Sequence, residues 1–150
     1  MKTAGTRQIT PVKPEKVDED LWHACIRLIV DLSNKLDTDA PFSFPVTRPH
    51  LIGTCDGRNV YIVSARTVMI KHDPDFVEGG NGHEDPKLCG KNEIYLADNV
   101  RLWDLPFILY HETIESRIME EKGMSYDDAH DHANNQEIEL SKKGLGLWLA

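Results

Sequence analysis

The chain has 150 residues, 40% of them hydrophobic and 28% charged, which fits one ordinary globular domain and excludes a wholly disordered or fibrous protein. Its 17 Lys and Arg residues against 25 Asp and Glu give a formal net charge of −8, which repels nucleic acids and anionic membrane surfaces, so we expect neither as a partner. The sequence has no apolar run long enough for a membrane span, and its polar start, MKTAGTRQIT, lacks the apolar segment of a signal peptide, so we expect a cytoplasmic protein.

The N-terminal segment separates into a flexible arm and a helix. Residues 1–17 contain two prolines and no apolar period, so we predict a flexible arm there and one domain over residues 18–150. From Asp18 onward, apolar residues recur at spacings of three and four, which predicts an amphipathic helix ending at residues 35–37. Three prolines within residues 41–49 then predict an extended connection.

The next part of the chain favours β-structure. Asp56 and Gly57 stand between two β-rich runs within residues 51–65, which predicts a hairpin. The segment TVMIKH at residues 67–72 predicts a third strand, and NEIYLAD at residues 92–98 predicts a further one.

The segment between these strands, residues 72–91, combines glycines, prolines and acidic residues without periodicity, which predicts a long loop. Within it, His83 and Glu84, with His72 and two aspartates nearby, suggest a separate cation site. The alternative is a solvated acidic surface loop.

Two helices are predicted at the C-terminal end. The first covers residues 105–122 and stops at Gly123, a residue suited to a left-handed helix cap. A capping box at Ser125–Asp128 opens a second helix over residues 126–142, and we expect the apolar tail at residues 144–150 to be docked on the domain. These elements predict an α+β fold with an N-terminal helix, a small twisted sheet of three or four strands and a C-terminal helical hairpin.

The first of these two helices carries polar residues inside its apolar stripe. At 100° per residue, Glu115 lies about 40° and Glu112 about 100° from His111, so histidine and glutamate share one face. The apolar residues flanking that face are Phe107, Ile108, Ile114, Ile118 and Met119. Burying a carboxylate and an imidazole there is costly unless they are satisfied, and a bound cation satisfies both.

His130 on the last helix borders that helix's buried face, as does Glu137. In an antiparallel hairpin His130 reaches the level of Glu115. The side chains of His111, Glu115 and His130 then supply two imidazoles and one carboxylate and leave a fourth position for water, which is the ligand set of a catalytic zinc site. Mn²⁺ or Fe²⁺ also suits these ligands, and Glu112 is placed to take a proton from the water.

A site without metal is the competing interpretation of the same residues. In it, His111 and Glu115 pair with each other or with Arg117, and His130 is a hydrogen-bonded core histidine. His132 points about 200° away from His130 around the helix and is expected to be a solvated surface residue.

The strand NEIYLAD followed by the helix sequence HETIE resembles the zincin metallopeptidases, in which an edge strand holds extended substrate beside the metal-binding helix. Here Glu115 stands in the place of the second motif histidine. The resemblance implies that Glu112 is the general base and that His111 and Glu115 are the helical ligands, while His130 takes the downstream ligand place by position only. The longer pattern over residues 56–139 also resembles a group of small uncharacterised bacterial and phage proteins.

The function predicted from the sequence is a zinc-dependent hydrolase, most consistent with a peptidase acting on a peptide or protein substrate. Zinc lowers the pKa of its bound water, Glu112 removes the proton and the hydroxide attacks a polarised carbonyl. Tyr126 or Arg117 is a candidate to steady the oxyanion, and Glu137 a candidate to support a ligand. Two alternatives are a non-catalytic metal that joins the helices and a metal-free interaction module using the 72–91 loop and the apolar tail.

Overall fold

The computed structural model describes residues 15–36 and 48–143. Its elements are α1 (Glu19–Leu36), β1 (His50–Cys55), β2 (Arg58–Val63), α2 (Ala65–Lys71), β3 (Gly79–Asn81), β4 (Glu93–Ala97), α3 (Leu105–Lys122) and α4 (Tyr126–Lys143), with a 3₁₀ turn at Leu102–Asp104. The predicted α+β class is confirmed. Residues 1–14 of the predicted arm, most of the proline-rich connection and the apolar tail lie outside the described residues.

The four strands form one mixed sheet in the order β1-β2-β4-β3. β1 and β2 are antiparallel, β2 and β4 are parallel, and β3 is antiparallel to β4. The turn between β1 and β2 places Asp56 at φ 54° and Gly57 at φ 74°. Two successive left-handed residues are what a tight hairpin turn requires, so the predicted hairpin is confirmed.

The predicted third strand at residues 67–72 is wrong, because this segment belongs to helix α2. The Ser64 side chain accepts a hydrogen bond from the backbone N–H of Thr67 at 3.2 Å and caps the helix N-terminus. Ala65 and Val68, one helical turn apart, are both buried. The cap and this spacing outweigh the β-propensity of the segment.

The predicted loop at residues 72–91 contains the short strand β3, so its prediction as wholly irregular is also wrong. β1 and β3 are the two edge strands of the sheet, and the three residues of β3 are buried, whereas β4 lies between β2 and β3. The strand predicted at residues 92–98 is therefore confirmed, but it is not an edge strand. A Cβ at Gly79 would lie 3.0 Å from Ile108 Cγ2 and 3.4 Å from Glu112 Cγ, so glycine allows β3 to pass close to α3.

The helices α1 and α3 pack on one face of the sheet. Trp22 of α1 contacts Phe107 of α3 with ring centroids 4.9 Å apart. α3 ends at Gly123, whose φ of 59° is left-handed, and the Ser125 side chain then accepts a hydrogen bond from the Asp128 N–H at 3.3 Å at the start of α4. The predicted helical hairpin is thus confirmed, with α3 held between α1, the sheet and α4.

The domain begins earlier than the predicted boundary at residue 18. Val17 is 6% exposed and belongs to the main core. Glu15 Oε1 lies 2.6 Å from Nδ1 of His132, which is therefore paired at the surface and not simply solvated. Among the described helices, none combines the length and apolar character needed to cross a membrane.

Candidate metal centre

Three polar side chains converge where α3 packs on α4. Glu115 Oε2 lies 3.1 Å from His111 Nε2 and 2.8 Å from His130 Nδ1. The two imidazole nitrogens are 3.1 Å apart. His111 and Glu115 meet because they are four residues apart on one helix, and the short turn after Gly123 returns the chain so that His130 faces them. The structure therefore brings together the three side chains predicted to bind a metal, those of His111, Glu115 and His130.

The carboxylate at the centre of this cluster is removed from solvent. The side chain of Glu115 is 1% exposed, against 10% for His111 and 34% for His130. Burial raises the pKa of Glu115, but hydrogen bonds and charge from His111 and His130 outweigh it and lower the pKa to about 2. Burial likewise opposes a charge on His111, yet its contacts with Glu115 and Glu137 raise its pKa to about 10. Glu115 is thus a buried anion that requires a positive charge beside it, from a proton or from a cation.

Glu137 supports the cluster from α4. Its Oε1 lies 3.2 Å from His111 Nδ1, the ring nitrogen that faces away from Glu115. A carboxylate at this nitrogen holds the ring in one orientation, with Nε2 facing the cluster, and keeps a proton on Nδ1 when Nε2 loses its own. This carboxylate–histidine arrangement is the usual support of a metal-ligating histidine. The structure thus places Glu137 against the nitrogen of His111 that faces away from Glu115.

Tyr126 reaches the same cluster from the first turn of α4. Its hydroxyl lies 3.2 Å from His130 Nδ1, the atom that also contacts Glu115. Burial raises the pKa of Tyr126, as do the neighbouring carboxylates, so the hydroxyl keeps its proton. The structure therefore brings a neutral hydrogen-bond donor to the edge of the cluster.

The prediction of a role in the site for Arg117 is wrong. Its guanidinium binds Asp18 at 2.7 Å and Asp56 at 3.0 Å, joining α1 to the β1–β2 turn. Those two carboxylates raise the pKa of Arg117, which stays charged. Two residues along a helix turn a side chain about 200° around the axis, so Arg117 cannot share the face of Glu115.

Glu112, the predicted general base, is buried beside the cluster together with a residue that the sequence analysis did not identify. Asn81 of β3 donates from Nδ2 to Glu112 Oε1 at 3.0 Å and to Glu115 Oε1 at 3.1 Å. The only sequence signal at this position was a glycine-rich run, which gives no indication of a partner about thirty residues away. The structure thus joins the proposed base to a proposed ligand through one amide.

A cavity of about 210 Å³ reaches the cluster from the surface. Its lining includes His111, Glu112, His130 and Glu137, together with Gly79 of the edge strand. A neighbouring cavity of about 550 Å³ shares part of this lining, including Ile108 and Glu137. Two of the three clustered side chains, those of His111 and His130, therefore border a cavity that opens to the surface.

The donor set fits a divalent cation. Zinc bonds of about 2.0–2.1 Å in a tetrahedral arrangement separate ligand atoms by about 3.3 Å, so the three donors need to move apart by only a few tenths of an ångström. Among residues 15–36 and 48–143, His111, Glu115 and His130 are the only group of this kind that approaches closely enough. The separate cation site suggested around His83 is therefore not formed by these residues, and His83 Nε2 lies 3.7 Å from Glu120.

Comparison of the chain with known protein families, with curated proteins and with solved structures finds no match. The geometry of the site is therefore the basis on which a function can be inferred.

Proposed function

We propose that this protein is a metal-dependent hydrolase, with zinc as the preferred ion and a peptide bond as the preferred target. His111, Glu115 and His130 hold the ion in this proposal. When bound, zinc supplies Lewis acidity that lowers the pKa of water and polarises a carbonyl. The observation that carries the proposal is the position of Glu112, a carboxylate outside the donor set that lines the same cavity as His111 and His130.

Glu112 acts as the base in this proposal. Its side chain is almost wholly buried, and its Oε1 is fixed by Asn81, so it is held in one position beside the cluster. A carboxylate so placed accepts a proton from the attacking water and delivers it to the leaving group. In this proposal Tyr126, whose hydroxyl contacts His130, donates a hydrogen bond to the oxygen that gains negative charge.

Two features favour catalysis over the alternative of a purely structural metal. Structural zinc sites are normally closed by four protein ligands, whereas the described cluster offers three. The cavity of about 210 Å³ also leaves the cluster accessible from the surface. An open coordination position and an entry path are what a substrate needs.

The proposal of a peptide substrate depends on the edge of the sheet. β3, not β4, has one side of its backbone without a partner strand among the described residues. An extended peptide can add to the edge of a sheet through main-chain hydrogen bonds, and at β3 this requires that its three buried residues become accessible. Gly79 of β3 lines the cavity beside Glu112, so a peptide on this edge passes the cluster. This assigns to β3 the role that the zincin resemblance implied for residues 92–98.

The test is cleavage of a fluorogenic peptide library by the zinc-loaded protein, compared with Glu112→Gln and with Glu121→Gln, an exposed control on the same helix. Glu112→Gln should retain zinc and lose about 10²- to 10⁴-fold in turnover, because an amide does not accept the proton. Glu121→Gln should behave as the wild type. Full activity of Glu112→Gln would contradict the proposed base. A zinc-bound wild type that cleaves no member of the library would favour the structural-metal alternative.

A further inference from the structure

The side chain of Asn81 donates hydrogen bonds to both Glu112 and Glu115. It is fully buried at the end of the edge strand β3. One amide nitrogen has two hydrogens, and Asn81 uses them for one oxygen of each carboxylate, at 3.0 and 3.1 Å. Two buried carboxylates in one site repel each other, and an amide that donates to both reduces the cost of keeping both ionised.

The orientation of this amide is determined by its other end. Asn81 Oδ1 accepts hydrogen bonds from the backbone N–H groups of His83 at 3.1 Å and Glu84 at 3.0 Å. A flipped amide would place its NH₂ against those two donors and its oxygen against the carboxylates, which loses all four hydrogen bonds. Nδ2 therefore faces Glu112 and Glu115.

The contact with Glu115 divides the two oxygens of that carboxylate between different partners. Oε1 is engaged by Asn81, whereas Oε2 is the oxygen that faces His111 and His130. The close approach of β3 to α3, which Gly79 permits, brings the short Asn81 side chain within reach. Glu115 is thus held so that only one of its oxygens points to the space between the imidazoles.

We propose that Asn81 is a positioning residue that makes Glu115 a one-oxygen ligand and holds Glu112 beside it as the base. This inference rests on the proposed metal site. A carboxylate that binds through one oxygen leaves more of the coordination sphere to water and substrate than one that binds through both. Asn81 thereby keeps the coordination number of the ion low.

The test compares the wild type with Asn81→Ala and Asn81→Ser, and with Asn59→Ala, an exposed asparagine in β2, as the control. Serine keeps an oxygen that can accept from the backbone N–H groups of the following turn but does not reach both carboxylates. Zinc affinity is measured by competition with a chromogenic chelator. Co²⁺ is used as a spectroscopic probe, because its visible d–d absorption weakens as its coordination number rises. Circular dichroism and the Tm of each metal-free variant report folding.

We expect both Asn81 variants to bind zinc about 10- to 100-fold more weakly and to show weaker Co²⁺ absorption, with Asn59→Ala unchanged. If Asn81→Ala does not fold, Asn81→Ser decides the question. Folded variants with wild-type zinc affinity and a wild-type Co²⁺ spectrum would overturn the inference and leave Asn81 a purely structural residue. A wild type that binds neither ion would instead refute the proposed function itself.

Discussion

Glu137 Oε1 lies 3.2 Å from Nδ1 of His111, and the opposite nitrogen of that ring faces Glu115. Glu137→Ala should therefore weaken zinc binding by about 10- to 100-fold, because His111 loses the partner that orients it. Chelator competition measures this change. Glu139→Ala on the same helix removes a carboxylate that pairs with Lys142 and should leave the affinity unchanged. Equal affinities for the two variants would show that Glu137 does not support the site.

Zinc affinity should rise with pH. The contacts with Glu115 and Glu137 raise the pKa of His111 to about 10 despite its burial. In the metal-free protein the imidazole of His111 therefore keeps its second proton, and its positive charge, throughout the neutral range. Zinc must displace that proton, and the dissociation constant should fall about tenfold per pH unit between about pH 6.5 and 8.5. Titration calorimetry in buffers of different ionisation enthalpy counts the released proton. No proton release and a flat pH profile would contradict the assignment of His111.

Stability of the metal-free protein should depend on the same two groups. The raised pKa of His111 gives stability that is complete below its ordinary pKa and is lost as pH rises toward about 10. The lowered pKa of Glu115 gives stability that is present above its ordinary pKa and is lost as pH falls toward about 2. Chemical denaturation of the wild type across this pH range should give a free energy of unfolding that is highest between these limits. Glu115→Gln is measured for comparison. A variant with the wild-type profile would mean that the pair does not contribute.

Zinc should also raise the thermal stability of the protein, because the proposed site exists only in the folded state. At a free zinc concentration about 100 times the dissociation constant, the gain is about 2.7 kcal/mol. For a chain of this length, that corresponds to a rise in Tm of about 5–10 °C, reversed by a chelator. Differential scanning calorimetry measures the shift. The same Tm with zinc and with saturating chelator would argue against a site between α3 and α4.

The start of the domain can be tested by two truncations. Removal of residues 1–14 should leave the Tm unchanged, because that segment has no apolar period. Removal of residues 1–17 also deletes Val17, which is buried in the core, and Glu15, which pairs with His132. We expect that deletion to cost about 2 kcal/mol, a fall in Tm of about 4–8 °C. Equal stability of both truncations would restore the boundary predicted at residue 18.

The parts of this structure that were predictable from the sequence are those with local signals. The Asp56–Gly57 turn and the Gly123 cap each require a residue type that is visible in the chain. β3 was not predictable, because Gly79, Gly80 and Asn81 form a strand only by pairing with β4. Such pairing joins residues that are far apart in the sequence, so a short stretch of sequence does not reveal it.

The candidate site also has residues that local sequence signals predict and residues that they do not. His111 and Glu115 share one face of a helix, which the spacing predicts. Asn81 reaches that face from a different element, so its contact depends on the path of the whole chain. Arg117 is close to Glu115 in sequence but points to another side of the helix, where Asp18 and Asp56 are its partners.

We expect His111, Glu115 and His130 together to bind one divalent cation. The most direct measurement is zinc per chain by mass spectrometry after reconstitution and removal of free ion, for the wild type, for Glu115→Ala and for His132→Ala as a control histidine outside the cluster. We expect about one zinc in the wild type and in His132→Ala and almost none in Glu115→Ala. A wild type without zinc, or a Glu115→Ala variant that retains it, would contradict the claim.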